Sequence, residues 1–241
     1  MNHAAAMPPL VQRMRYISLA LLLLLPISVI TVRAGAWKLG LPLYALACLG
    51  STLLVIISIV LLMLPRFAPW RQAILRHAFF ALPGTLLLLA LVSGGGNSPR
   101  IHDITTDTAD PPTFTMAAQQ RGEEANSLEI DPDVIAQQQA AYPDMKTLAS
   151  DLPVDEAFSL ALQTATDLGW EVYHQDREAG VIEAVDTTSI MAFKDDVVIR
   201  VRESGQGALI DVRSVSRVGE GDIGANAKRI REFREAFQQP G

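Results

Sequence analysis

The sequence predicts two unlike parts: an α-helical membrane anchor of three transmembrane helices, followed by an α+β domain whose antiparallel four-stranded sheet carries two helices on one face. Three observations predict this. Residues 1–99 contain no Asp or Glu and seven Lys or Arg, whereas residues 100–241 hold all 26 acids and 13 basic residues. The basic part contains three long apolar runs, and the acidic part reads helix, four short segments at hairpin spacing, helix. The expected divisions are a membrane part over 1–92, a linker over 93–100 and a soluble domain over 101–241.

The apolar runs are Tyr16 to Val32, Leu41 to Leu64 and Ala78 to Val92. A helix needs about 20 residues to cross the hydrocarbon core. The second run meets this with room to tilt and the first is adequate despite Pro26. The third is short and needs help from Arg76-His77 or from Gly94 to Gly96. With the N-terminus inside, Arg13, Arg15, Arg66, Arg71 and Arg76 face the cytoplasm and only Arg33 and Lys38 face out, the bias that sets orientation. Three crossings then place the domain outside, in the periplasm of an inner-membrane protein. A cleaved signal peptide is the competing reading of the first run, with Ala34-Gly35-Ala36 as its site. Arg33 beside that site and the proline in the run favour a retained span. The single Cys48 lies in an apolar run, so no internal disulfide forms.

In the second part, Ser93 to Pro99 has linker composition. Ile101 to Phe114 reads as a short strand or extended arm ending in Pro111-Pro112, and Met116 to Ser127 as a polar mobile loop. Asp131-Pro132 starts a helix reaching about Ala141. Pro153 to Leu168 is the clearest helix: Val154, Phe158, Ala161, Leu162, Ala165 and Leu168 form one stripe, Asp155 and Glu156 suit its N-terminal end and Gly169 stops it. The strands are Trp170 to His174, Val181 to Thr187, Val197 to Arg202 and Leu209 to Ser216, joined by turns at 177–180 and 203–207. Alternation puts Val197, Ile199, Val201, Ile210 and Val212 on the core face. Arg200, Arg202, Arg213 and Glu183 fall on the other. A last helix over Ile223 to Gln238, N-capped by Asp222, shows Ile223, Ala227, Ile230, Phe233 and Phe237 on one stripe.

Chemistry concentrates in Arg213 to Ile230, RSVSRVGEGDIGANAKRI, where polar side chains surround Gly219, Gly221 and Gly224. This run, with Phe193-Lys194-Asp195-Asp196-Val197 upstream, resembles the signature of a bacterial and plastid family of domains of unknown function, family 1499. His102 to Asp107 with Asp110-Pro111-Pro112 resembles the leading segment of its proteobacterial members, which often carry N-terminal membrane helices. The resemblance covers Ile101 to Phe237 and implies no particular activity.

Two readings of the stretch stand side by side. As an anion or polar-ligand site it would use Arg213, Ser216, Arg217, Asp222, Asn226 and Arg229, with Asp195 and Asp196 nearby and backbone N–H groups of the turn as donors. As a structural knot, Asp222 would cap the helix, Asn226 would bond the turn and Arg217 would pair with Asp195 or Asp196. Adjacent strand residues point to opposite faces, so Asp195 and Asp196 cannot enter one site. A hydrolase would need one of them with Arg213 and Arg217. His102, Asp103, Asp107, Asp110 and distant His174 match no metal-ligand spacing and read as a solvated acidic arm. No catalytic residue, metal or cofactor is expected, and no nucleophile elbow, phosphate loop or dinucleotide fingerprint occurs. The expected partners are the lipid bilayer and an envelope protein or small anion. The acidic domain would repel nucleic acid.

Overall fold

A computed structural model describes residues 6–95, 98–205 and 207–239. Gly96 and Asn97 of the expected linker, Gln206 of the expected turn, and residues 1–5, 240 and 241 lie outside the described residues. Contacts divide the chain into two compact units, 1–96 and 97–241.

The first unit holds α1 (Pro9–Arg33), α2 (Trp37–Met63), a 3-10 turn over Pro65–Trp70, and α3 (Arg71–Gly95). All three helices are long and apolar enough to cross a membrane. The third run is therefore not short: its helix begins at Arg71 and takes in Ser93 to Gly95 of the expected linker. At about 1.5 Å per residue it exceeds a core of about 30 Å. The helices meet through small residues. A Cβ on Gly40 would lie 2.5 Å from Val32 Cγ2, and one on Gly84 would lie 2.5 Å from Ser51 Oγ. Ser18, Ser28 and Ser58 are buried and return their hydroxyls to carbonyls one turn back. Small residues permit this approach where lipid supplies no hydrophobic drive between helices.

The second unit contains β1 (Asp103–Thr105), α4 (Ala117–Gln120), α5 (Pro132–Ala141), β2 (Leu148–Ser150), α6 (Val154–Asp167), β3 (Glu171–Asp176), β4 (Val181–Thr187), β5 (Lys194–Ser204), β6 (Gly207–Ser216) and α7 (Ala225–Gln238). The sheet has six strands, not four. Strands β3 to β6 form the expected antiparallel meander, and β1 and β2 lie in line along the outer edge of β6. Each added strand is only three residues long: β1 lies within the expected short strand or extended arm of Ile101 to Phe114, and β2 is too short for alternation to announce it. Together they cover an edge whose unpaired N–H and C=O groups would invite association. The edge of β1 is closed in turn by Gln138, the one buried residue of α5, which accepts from Thr105 N and donates to Thr105 O at 3.0 and 2.6 Å.

Helices α6 and α7 cover one face, as expected. Phe158 and Ala161 of α6 and Ile230 and Phe233 of α7 pack with Ile182, Val197, Ile199, Ile210 and Val212. Trp170 stacks on Phe233 at 5.5 Å and 19°. The opposite face is covered by the chain from Thr106 to Leu128. The segment expected as a mobile loop packs there: Ala117 has no exposure and the Arg121 side chain is 5% exposed. Its few apolar residues are misleading, because what it covers is polar.

Candidate functional site

Strand register divides the expected cluster in two. Asp186, Asp195 and Ser216 are mutual partners across β4, β5 and β6, and Ser214 is the next residue inward on the same face. That face meets α7. Asp196, Val198 and Arg213 point through the other side, toward the 106–128 segment. Of the eight expected residues, Asp195, Ser216, Asp222, Asn226 and Arg229 gather on the helix face. Asp196, Arg213 and Arg217 gather on the far face, so the stretch forms two networks with a sheet between them.

On the helix face Arg229 is the hub. Its Nε donates to Asp186 Oδ2 and its Nη2 to Asp195 Oδ2, both at 2.6 Å. Its Nη1 donates to Asn226 Oδ1 at 2.6 Å and Ser214 Oγ at 3.0 Å. Asn226 uses its amide nitrogen on His102 O and Ser216 Oγ, and its carbonyl also accepts from Ser214 Oγ. The α7 N-cap is Gly224, at φ +82°, rather than Asp222. Asp222 still serves the helix start from two residues upstream, its carboxylate accepting from Gly224 N and Asn226 N at 2.9 and 2.6 Å. Burial pushes Asp222 above the usual carboxylate range, and Asp195 adds to the shift. Two carboxylates already engage this one guanidinium, and Asp222 adds a third close enough to Asp195 to feel its charge, which disfavours a further anion.

On the far face Arg213, 1% exposed, forks onto Asp103 at 2.6 to 3.2 Å and donates to Pro112 O and Leu128 O. Asp103 is thus a buried partner, not part of a solvated arm. Arg217 forks onto Asp196 at 2.7 to 3.2 Å and donates to Gln120 O. Arg121 Nε lies 3.1 Å from Asp196 Oδ2, at ion-pair distance without hydrogen-bond alignment. Burial lowers the Arg121 pKa from its ordinary value. Glu183 occupies a backbone nest in this layer, accepting from the N–H groups of Thr115, Met116 and Ala117, the Thr115 hydroxyl and the Tyr173 phenol. Burial first, and then the Glu183 charge, push Tyr173 well above the usual phenol range.

A third set continues along this face. Arg200 and Arg202 meet Asp107 and Asp211, and Arg200 also meets Asp110, at 2.7 to 3.2 Å. Thr106 and Thr147 donate to the other Asp211 oxygen. Among the described residues, no three His, Cys, Asp or Glu side chains converge as a metal site.

The partners that local reading missed are Asp186, Asp103, Arg121, Asp211 and the nest around Glu183. A signal existed for some of them. Glu183 and Asp211 interrupt apolar strand segments, and a charge in that setting needs a buried partner.

Residues 103–237 match the family model described as Protein of unknown function (DUF1499). The chain belongs to this family. In this DUF1499 protein the match begins at Asp103 and ends at Phe237, so it takes in all three polar networks and both covering helices. A search of curated proteins finds no match.

Proposed function

We propose that this DUF1499 chain is a multi-pass inner-membrane protein, N-terminus cytoplasmic and C-terminal unit periplasmic, whose external unit is a non-catalytic binding or assembly component of the cell envelope. The observation that carries this reading is internal neutralisation. Arg213, Arg217 and Arg229 are each engaged by carboxylates of the same chain, and Asp222 occupies the N–H groups at the start of α7. A small anion would have to displace these partners, which favours an assembly role over an anionic ligand in the Arg213 to Ile230 stretch. The membrane orientation rests on five basic residues, Arg13 and Arg15 near the start of α1 and Arg66, Arg71 and Arg76 around the connection of α2 to α3.

An envelope hydrolase using Asp195 or Asp196 is less well supported. Asp195 is held by Arg229 on one face, while Asp196, Arg213 and Arg217 lie on the other, and both acids are buried. The test is the stability of Arg217→Ala and Asp222→Ala in the full-length protein, with native mass spectrometry on the same samples. The structural reading expects each to cost on the order of 2 kcal/mol or more, with no small molecule lost. Unchanged stability together with loss of a bound anion from Arg217→Ala would favour the ligand site instead.

A further inference from the structure

We propose that the end of the sheet formed by residues 188–193 and 217–224 is a lipid-contacting surface, with Ile190, Met191, Phe193 and Ile223 entering the boundary between headgroups and acyl chains. Among the described residues of the second unit, the exposed large hydrophobic ones are Ile130, Ile190 and Ile223, and two of these three fall at this end. Met191, Phe193 and Val218 are half-buried beside them, and Lys194 and Arg100 are exposed. The β4–β5 connection and the turn before α7 are neighbours here, since Arg217 N donates to Lys194 O.

The chain also arrives at this end. Ile101 O accepts from Asp222 N, and His102 O from Ser216 N. A Cβ on Gly224 would lie 3.0 Å from Ser98 Oγ. Ser98 follows Gly95, the last residue of α3, by three positions, and three residues span at most about 11 Å. The occupant is therefore the leaflet at which α3 ends, and the inference rests on α3 being a membrane span. The opposite end of the sheet has different chemistry, with exposed Asp151, Asp155, Glu178 and Glu203 around the β3–β4 and β5–β6 turns.

Backbone conformation points the same way. The non-glycine residues with positive φ among the described residues are Ala192, at 55°, and Ile223, at 56°. A β-branched residue is costly in this region, so the turn carries an exposed isoleucine at a position where glycine would be less strained. The surface works by apolar insertion rather than by charge. Arg100 is spent on Glu220 at 2.5 Å, and the unit as a whole is acidic.

The experiment uses full-length protein carrying Cys48→Ser, reconstituted into nanodiscs of phosphatidylcholine and phosphatidylglycerol. Nitroxides are placed singly at Met191→Cys, Ile223→Cys, Leu86→Cys on α3 and Glu178→Cys at the far end of the sheet. Collision with oxygen and with a water-soluble nickel chelate is then measured. The expected result is oxygen preference at 191 and 223, with nickel accessibility severalfold below that at 178. If 86 is in lipid while 191 and 223 match 178, the inference is overturned and the span reading survives. If 86 is also open to nickel, both fall. Labels at 191 and 223 shielded from both reagents, in detergent as in nanodiscs, would mean a protein cover such as a second copy and would also overturn it. Should a cysteine variant fail to fold, Met191→Trp and Ile223→Trp read by brominated-lipid quenching give the same decision.

Discussion

Asp196 has no exposed surface and faces two guanidiniums, so the fold depends on its charge. Asp196→Asn would leave Arg121 and Arg217, whose side chains are only 5% and 14% exposed, without this counter-ion. Breaking a buried pair this way costs about 3–5 kcal/mol, and urea unfolding followed by near-ultraviolet circular dichroism would show it. A catalytic Asp196 predicts the reverse, lost activity at unchanged stability. Tyr173 makes a second prediction. Its ionisation is raised in the folded state, so above the usual tyrosine range the native chain holds a proton that the unfolded chain releases. By linkage this lowers stability as pH rises past about 10. Tyr173→Phe should flatten that alkaline loss while costing on the order of 1 kcal/mol at neutral pH for the bond to Glu183. A pH series of denaturation midpoints checks both effects. At this scale the sequence made the face of each residue legible: alternation separates Asp195 from Asp196 and groups Arg200, Arg202 and Arg213 with Glu183. It did not make the pairs legible, because Asp103 and Arg213, or Arg121 and Asp196, are distant in sequence and share no local spacing.

The elements that periodicity reveals are those long enough to show a period. Helix α6 was expected over Pro153 to Leu168 and forms over Val154–Asp167, and β4 falls on its expected bounds. Strand β1 falls inside Ile101 to Phe114, expected as a short strand or extended arm but not as part of the sheet, and β2 was not expected, because each is defined by its partner, not by its own pattern. Gly207 was the available signal, since glycine in a strand marks close backbone approach. A Cβ there would lie 2.1 Å from Ser150 O. Gly207→Ala should therefore push β2 off the edge of β6, speeding amide exchange along β6 at Ala208 to Ile210 without loosening β4. The start of α7 carries the opposite expectation. Ile223 sits at φ +56° and is 53% exposed, so in detergent, away from a bilayer, glycine relieves strain while losing little packing within the protein. Relief of about 1–2 kcal/mol, less the extra chain entropy of glycine, leaves Ile223→Gly more stable by roughly 0.5–1 kcal/mol. A rise in melting temperature is the readout, and a fall would mean that the isoleucine packs in the folded protein.

Across the whole molecule, composition separated what local patterns could not connect. Helices that present apolar side chains to lipid have no use for carboxylates, and residues 1–99 contain none. The second unit needs its acids, because buried arginines on both sheet faces must be neutralised from within. The same asymmetry carries the last prediction, which concerns orientation. Arg13 and Arg15 lie in the first two turns of α1, and Arg66, Arg71 and Arg76 in the 3-10 turn and the first turns of α3, against Arg33 at the end of α1 and Lys38 at the start of α2. If the positive-inside bias sets topology, alkaline phosphatase fused after Gln239 in a bacterial host should be active and green fluorescent protein fused there dark. Changing Arg66, Arg71 and Arg76 together to Asn removes the larger share of the bias and should shift part of the population toward the inverted reporter pattern. Inactive phosphatase and bright fluorescence from the unaltered chain would place the second unit in the cytoplasm, and the envelope role would fall with it.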